Sequence, residues 1–176
     1  MPTIITHAAA PLIMGLGLRP RYISRQLLIF CVICAVLPDF DVIGFKLGVA
    51  YGDAFGHRGA SHSLAAALAC GIAGFILRKQ LKAGTMMAII LPFLAVLSHI
   101  ITDMLTSGGL GVAMFWPFDS ARHFLPVQPI RVSPFDPRHL LNMRGVMVAV
   151  TEFLYVWLPA IVVMIVTKVY TRRVKP

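Results

Sequence analysis

The chain has 176 residues, of which 58% are hydrophobic and 13% are charged, and its mean hydropathy is +0.81. This composition excludes an ordinary soluble domain and predicts an all-α, polytopic membrane protein that forms a single domain over residues 1–176. The net charge of +9 does not predict direct nucleic-acid binding, because the Lys and Arg residues stand mostly in short clusters beside apolar runs, as topology signals do.

Apolar segments predict one short helix and about four transmembrane helices. The short helix is Ile4–Leu18, which contains Pro11 and falls below the ~20 residues that a span needs. The predicted spans are, in chain order, 26–45, 63–77, 84–106 and 145–167. Residues 107–144 are rich in Pro, Gly and aromatic residues and are too polar to span, so they are predicted to form an ordered extramembrane loop. The cysteines are interpreted as packing residues, because all three lie in apolar surroundings.

Basic residues indicate how the predicted spans are oriented. Clusters at 19–25, at 78–82 and at the C-terminus fall on one side of the predicted bundle, which the positive-inside rule assigns to the cytoplasm. The C-terminus is therefore predicted to be cytoplasmic and the loop extracytoplasmic, although the loop carries arginines of its own.

Ionisable side chains interrupt the apolar segments, where each needs a partner, since an imidazole or a charge in hydrocarbon costs several kcal/mol. We interpret these residues as ligands of one metal site: His7, Asp39, Asp41, His57, His62, His99, Asp103 and Glu152. One residue from each of four segments lies 12 to 17 residues from the nearest predicted cytoplasmic basic residue, which is about 18–26 Å along a straight helix. These residues are His7, Asp39, His62 and His99. Glu152 falls in the same layer. A common depth is required of ligands of one ion and not of unrelated core residues.

The residue types favour a hard or borderline cation. His99 and Asp103 are four residues apart and share one helix face. Imidazole and carboxylate ligands without a thiolate favour zinc, or manganese, over a soft metal or an iron–sulfur cluster. Such a cation lowers the pKa of a water molecule and polarises ester or phosphoryl oxygens, so hydrolysis is the predicted reaction class.

Each residue also has a structural interpretation without a metal. His7 fits an interfacial histidine, and the two aspartates beside Pro38 fit the end of a helix. His99 and Asp103 fit a buried hydrogen-bonded pair. Glu152 fits an interhelical hydrogen-bond partner.

Five short motifs, taken in their order and spacing, resemble the YdjM-type inner-membrane, metal-dependent hydrolases of bacteria. They are Thr6-His7, Pro38-Asp39-Phe40-Asp41, His57-Arg58-Gly59 with Ser61-His62-Ser63, Ser98-His99 through Asp103, and Trp116-Pro117-Phe118. The resemblance implies location in the bacterial inner membrane. It also implies LexA-regulated expression in the response to DNA damage, the SOS response.

The order of these residues is also similar to that in the zinc-dependent phospholipase C and single-strand nuclease superfamily. Carried over by position, that similarity implies His7, Asp39, His57 or His62, His99 and Asp103 as ligands of one or two ions. It implies phosphoester or phospholipid hydrolysis.

The leading hypothesis is thus a membrane-bound hydrolase whose cation lies toward the extracytoplasmic side and whose substrate is a small molecule or a membrane lipid. Asp39 or Asp41 is the predicted general base, and Arg58 or Arg122 is predicted to pair with a phosphate. The alternatives are a metal-ion or proton transporter or channel, which needs polar residues continuing to the cytoplasmic face, and a non-catalytic membrane scaffold.

Overall fold

The computed structural model describes residues 1–18, 23–134 and 142–173. In these ranges the chain is mostly helical, as the composition predicts. The helices are α1 (Ile4–Leu18), α2 (Arg25–Val36), α3 (Leu64–Ile76), α4 (Thr85–Met104), α5 (Met143–Glu152) and α6 (Leu158–Arg173). A 3-10 helix (Leu37–Leu47) continues α2, a short 3-10 turn (Ala60–His62) precedes α3, and a π-helical segment (Phe153–Trp157) joins α5 to α6.

Three segments are long and apolar enough to cross a membrane: Arg25–Leu47 with 23 residues, Thr85–Met104 with 20 and Met143–Tyr170 with 28. The predicted span at 63–77 appears as α3, which has only 13 residues and is about 20 Å long at 1.5 Å per residue. A hydrocarbon core is about 30 Å thick. Among the described residues there are therefore three candidate spans and two shorter apolar helices, and the predicted count of four is not confirmed.

The break between α2 and the 3-10 helix has a local cause. Pro38 lies in the first turn of the 3-10 helix, lacks a backbone donor and restricts the residue before it, so the α-helix ends at Val36. The tighter winding continues to Gly48, which adopts a left-handed φ of 79° and ends the segment. The aspartates after Pro38 are thus held on a rigid helical turn.

Helices α3 and α4 pack closely because glycine faces the neighbouring backbone. A Cβ atom at Gly74 would overlap the carbonyl oxygen of Ala88, and one at Gly71 would lie 3.0 Å from the carbonyl oxygen of Ile89. Ser63 caps the start of α3 by accepting a hydrogen bond from the Ala66 amide at 3.1 Å. This contact orients the chain that carries His57 and His62 over the end of α4.

The predicted loop at 107–144 is ordered over its described part, residues 107–134. Strand β1 (Thr106–Ser107) pairs in parallel with β2 (Ile130–Arg131), and Val112 forms an antiparallel bridge with His123. Sequence patterns did not predict this small ladder, because strands of two residues carry no periodicity. The ladder ties the end of α4 to residues 130–131, and the Arg131 amide donates to the Thr151 hydroxyl of α5 at 3.1 Å.

Candidate metal centre

Three separate segments bring four of the predicted ligands together. Helix α1 supplies His7, the 3-10 helix after Pro38 supplies Asp39, and the last turns of α4 supply His99 and Asp103. One ligand atom from each of these residues lies within 4.8 Å of the others. All four side chains are buried, with relative exposures of 2% or less. The convergence that the sequence predicted is therefore present.

The distances between these atoms suit a bound cation. His7 Nε2 lies 3.7 Å from Asp39 Oδ2 and 3.7 Å from Asp103 Oδ1. His99 Nε2 lies 3.6 Å from Asp39 Oδ1 and 3.9 Å from Asp103 Oδ2. Zinc–ligand bonds of about 2.0–2.2 Å in a tetrahedron place neighbouring ligand atoms roughly 3.3–3.6 Å apart. The observed spacing is close to that value and is too long for direct hydrogen bonds.

Both of these histidines are held by their Nδ1 atoms. His99 Nδ1 donates to the carbonyl oxygen of Ala35 at 2.7 Å. His7 Nδ1 lies 3.1 Å from the Thr102 hydroxyl, which is within donating distance of the Ser98 and His99 carbonyl oxygens. A hydrogen on Nδ1 leaves the lone pair on Nε2, the atom that faces the carboxylates.

Asp41 organises a second group of side chains. One oxygen of Asp41 lies 2.6 Å from His57 Nδ1, and the other accepts from the Ser61 hydroxyl at 2.6 Å and lies 3.1 Å from His62 Nδ1. The Arg58 amide donates to the same carboxylate at 3.1 Å. Asp39, His57 and His62 form another set whose ligand atoms lie within 4.8 Å of one another. Asp39 belongs to both sets.

Several buried polar atoms in the centre have no hydrogen-bond partner among the described residues. They are Nε2 of His7, His62 and His99 and both carboxylate oxygens of Asp39. A buried polar atom without a partner costs about 1–3 kcal/mol, and a buried charge costs more. The atoms of His7, His99 and Asp39 belong to one set, so a single cation would provide a partner for them, whereas His62 belongs to the second set.

The charges of the centre do not balance. Arg58 is fully buried and meets Asp103 through two contacts, Nε to Oδ2 at 3.0 Å and Nη2 to Oδ1 at 3.2 Å. The carboxylates of Asp39, Asp41 and Asp103 therefore face one guanidinium, which leaves two negative charges uncompensated when the histidines are neutral. Burial opposes charge on His62, but these carboxylates raise its pKa to about 10. The centre therefore attracts positive charge.

Glu152 lies outside both groups. Its carboxylate accepts hydrogen bonds from the Thr3 amide at 2.5 Å, the Thr3 hydroxyl at 2.6 Å and the Thr6 hydroxyl at 2.6 Å. Trp157 Nε1 donates to the same Thr6 hydroxyl at 3.0 Å. Glu152 thus ties α5 to the start of α1, as the interhelical interpretation describes.

The two arginines that were predicted to pair with phosphate are directed at protein acceptors. Arg58 also donates to the Gly108 carbonyl oxygen at 2.8 Å. Arg122 donates to the carbonyl oxygens of His57 at 2.9 Å, Tyr51 at 3.0 Å and Asp53 at 3.1 Å. Arg122 therefore fixes the loop that carries His57 to the ordered part of residues 107–134.

The two remaining histidines are not part of the centre as described. His123 is 38% exposed and lies 4.0 Å from Asp119. His139 falls within 135–141, outside the described residues.

Sequence reasoning missed the groups that orient the ligands. Ala35 acts through a backbone carbonyl, for which no side-chain pattern exists. Thr102 was detectable only from its place directly before Asp103, one turn from His99. Ser61, which the sequence offered only as part of a short motif, donates its hydroxyl to Asp41.

Comparison with known proteins gives one family. The model of the YdjM inner membrane protein family matches residues 1–174. Inner membrane protein YbcI of Escherichia coli (strain K12) is 44% identical over 165 residues, which cover 93% of this chain and 95% of that relative. No solved structure matches the chain.

Proposed function

Because the chain belongs to the YdjM inner membrane protein family, we propose that it is a multi-pass inner-membrane hydrolase that depends on a divalent cation. One observation carries the proposal. The Nε2 atoms of His7 and His99 and the carboxylates of Asp39 and Asp103 converge in a buried centre at distances that suit a cation. Zinc is the preferred ion because its ligands in proteins are imidazole and carboxylate in this spacing.

The residues divide into ligands and positioning groups. His7, Asp39, His99 and Asp103 form the first ligand set, and His62 borders it with Nε2 3.2 Å from Asp103 Oδ2. Asp39, His57 and His62 offer a second set, so Asp39 would bridge two ions if both sets are filled. The proposed ligands are therefore six of the eight that the sequence predicts: His7, Asp39, His57, His62, His99 and Asp103.

Asp41 and Arg58 are assigned as positioning residues. Asp41 accepts from Ser61 and holds the Nδ1 atoms of His57 and His62, and Arg58 fixes both oxygens of Asp103. A carboxylate behind a metal-binding histidine fixes the ring and raises its basicity.

The reaction class follows from the donor set. The residues His7, Asp39, His99 and Asp103 would hold a divalent cation, which would supply an acidified water molecule and polarise a phosphoryl oxygen. With only the first ligand set filled, one Asp39 oxygen would hold the cation and the other would be free to accept the water proton, because neither oxygen has a hydrogen bond in the described structure. Hydrolysis would add water across the phosphorus–oxygen ester bond and give a phosphate and an alcohol. The substrate class is a phosphoester, with phospholipids included because the centre lies in a membrane protein.

The location of the centre favours hydrolysis over transport. Between the centre and the opposite end of the molecule, residues 26–38 of the α2 span and 85–98 of α4 contain no His, acidic or basic residue. Helix α3 contains none either. A transporter or channel needs polar groups through the whole bilayer, so these segments support a one-sided pocket.

The test is elemental analysis of the purified protein together with variants of the centre. We expect a stoichiometric divalent metal in the wild type and at least a tenfold loss of metal affinity in His99→Ala and Asp103→Asn. The matched controls are His123→Ala and Asp119→Asn, which remove an imidazole and a carboxylate outside the centre. Metal-loaded protein is then assayed with soluble phosphoesters and with phospholipids.

Unchanged metal content in both centre variants would contradict the metal site. If the protein binds metal and carries metal into proteoliposomes but hydrolyses neither substrate, it is a transporter and not a hydrolase.

A further inference from the structure

A cavity of about 390 Å³ lies between the β ladder and the first turns of α5. Its walls include Ser107 of β1, Arg131 of β2 and Arg144 and Val148 of α5. This volume falls within the range of small-ligand sites, roughly 300–1,000 Å³. The cavity is at the end of the span Met143–Tyr170 that is joined to the end of α4. A spanning helix meets the polar headgroups at its ends, so a site at this end of the span suits a headgroup.

The cavity is positively charged. Arg131 and Arg144 are exposed, and neither side chain forms an ion pair with any residue in the described ranges. The lining in those ranges contains no acidic residue. Two arginines thus line one cavity, and a guanidinium is suited to phosphate, which accepts its paired N–H donors.

The cavity wall connects directly to the metal centre. Ser107 precedes Gly108, whose carbonyl oxygen accepts from Arg58 at 2.8 Å. Arg58 in turn holds Asp103, at 3.0 and 3.2 Å. One residue of backbone and one side chain therefore separate the cavity from a ligand of the proposed cation.

We propose that this cavity binds a phosphate group of the substrate through Arg131 and Arg144, beside the metal centre. The inference rests on the proposed hydrolase function and gives that function its phosphate-recognition site. Arg58 and Arg122, which are directed at protein acceptors, leave this role to the two exposed arginines.

The experiment measures phosphate binding separately from metal binding and from hydrolysis. Purified full-length protein in an uncharged detergent is titrated calorimetrically with inorganic phosphate and, in parallel, with dihexanoyl phosphatidic acid. We expect Arg131→Gln and Arg144→Gln each to weaken binding about tenfold, which corresponds to about 1.4 kcal/mol, because each removes one charged donor to the phosphate. Metal content is expected to stay at the wild-type level.

The matched control is Arg25→Gln, which removes an exposed arginine from the first turn of α2 at the other end of the molecule. If the variants weaken binding of the lipid alone, the cavity is a phosphate site and the phosphate belongs to a lipid headgroup. Weakened binding of both probes, or of inorganic phosphate alone, would support the cavity with a water-soluble source.

If Arg131→Gln and Arg144→Gln bind both probes as the wild type does, the proposed phosphate site is wrong, even if the wild type hydrolyses phosphoesters. Arginine-dependent binding by a wild type that hydrolyses no substrate would support the cavity and count against the hydrolase.

Discussion

The arrangement of the histidines gives the centre its chemical character at the scale of single residues. In His7, His62 and His99 the Nδ1 atom meets a hydroxyl, carboxylate or carbonyl oxygen, and the Nε2 atom faces the carboxylates. Histidines that merely stabilise a core satisfy both nitrogens. This one-sided satisfaction is typical of metal-binding imidazoles with supporting acceptors.

Asp41→Asn tests the supporting role of that carboxylate. The substitution removes the negative charge behind His57 and His62 and exchanges an acceptor for a donor at one of the two positions. We expect metal affinity to fall about 10- to 100-fold, with the metal stoichiometry retained at saturation. Competition with a calibrated zinc chelator measures the change, and Asp119→Asn serves as the control. Wild-type affinity in Asp41→Asn would contradict the positioning role.

Arg58→Met tests the buried ion pair. The variant leaves Asp103 fully buried without its guanidinium partner. We expect the free energy of unfolding of the metal-free protein to fall by roughly 3–5 kcal/mol, because an uncompensated charge remains inside. Denaturant titration in mixed micelles measures this, with Arg25→Gln as the exposed control. A change as small as that of the control would show that Asp103 does not depend on Arg58.

The winding of individual elements decides which side chains enter the centre. The 3-10 helix has three residues per turn, so residues two apart point about 120° away from each other. Asp39 therefore faces His7 and His99, whereas Asp41 faces His57 and Ser61. The sequence predicted both aspartates as ligands because residue type alone does not distinguish these directions.

Glu152→Gln tests whether the contact between α5 and α1 is structural. Glu152 accepts from Thr3 and Thr6, and the amide retains one acceptor oxygen but loses the charge. We expect lower thermal stability and an unchanged metal stoichiometry and affinity. Thermal unfolding and elemental analysis measure the two effects. Loss of metal in Glu152→Gln would restore this residue to the ligand set.

At the scale of the whole molecule, the polar residues gather at one end of an otherwise apolar bundle. The ordered part of the loop covers that end through the Arg122 contacts and the Val112–His123 bridge. The depth count from the sequence predicted a common layer, although it assumed straight α-helices and the segment with Asp39 is a 3-10 helix. The side chains of α1 and α4 that meet in the centre do lie on regular α-helix.

The orientation of the protein in the membrane is a property of the whole molecule. We propose that the metal centre lies on the extracytoplasmic side and the C-terminus in the cytoplasm. Ser120→Cys in the loop is expected to react with a membrane-impermeant maleimide in intact cells, and Lys79→Cys between α3 and α4 only after lysis. Both positions are exposed. Labelling of Lys79→Cys alone in intact cells would reverse the orientation.

The sequence by itself determined the membrane class of the protein and pointed to the side chains that meet in the candidate centre, together with Asp41 and Glu152, which belong to neither ligand set. An apolar composition leaves membrane helices as the stable form, and buried imidazoles and carboxylates in such helices need a shared partner. Only the tertiary structure decided which side chain faces the shared point and which stands behind it. Those directions depend on backbone winding and on acceptors such as the Ala35 carbonyl and the Thr102 hydroxyl. They also depend on contacts as distant in the chain as Arg58 with Asp103, which no local pattern encodes.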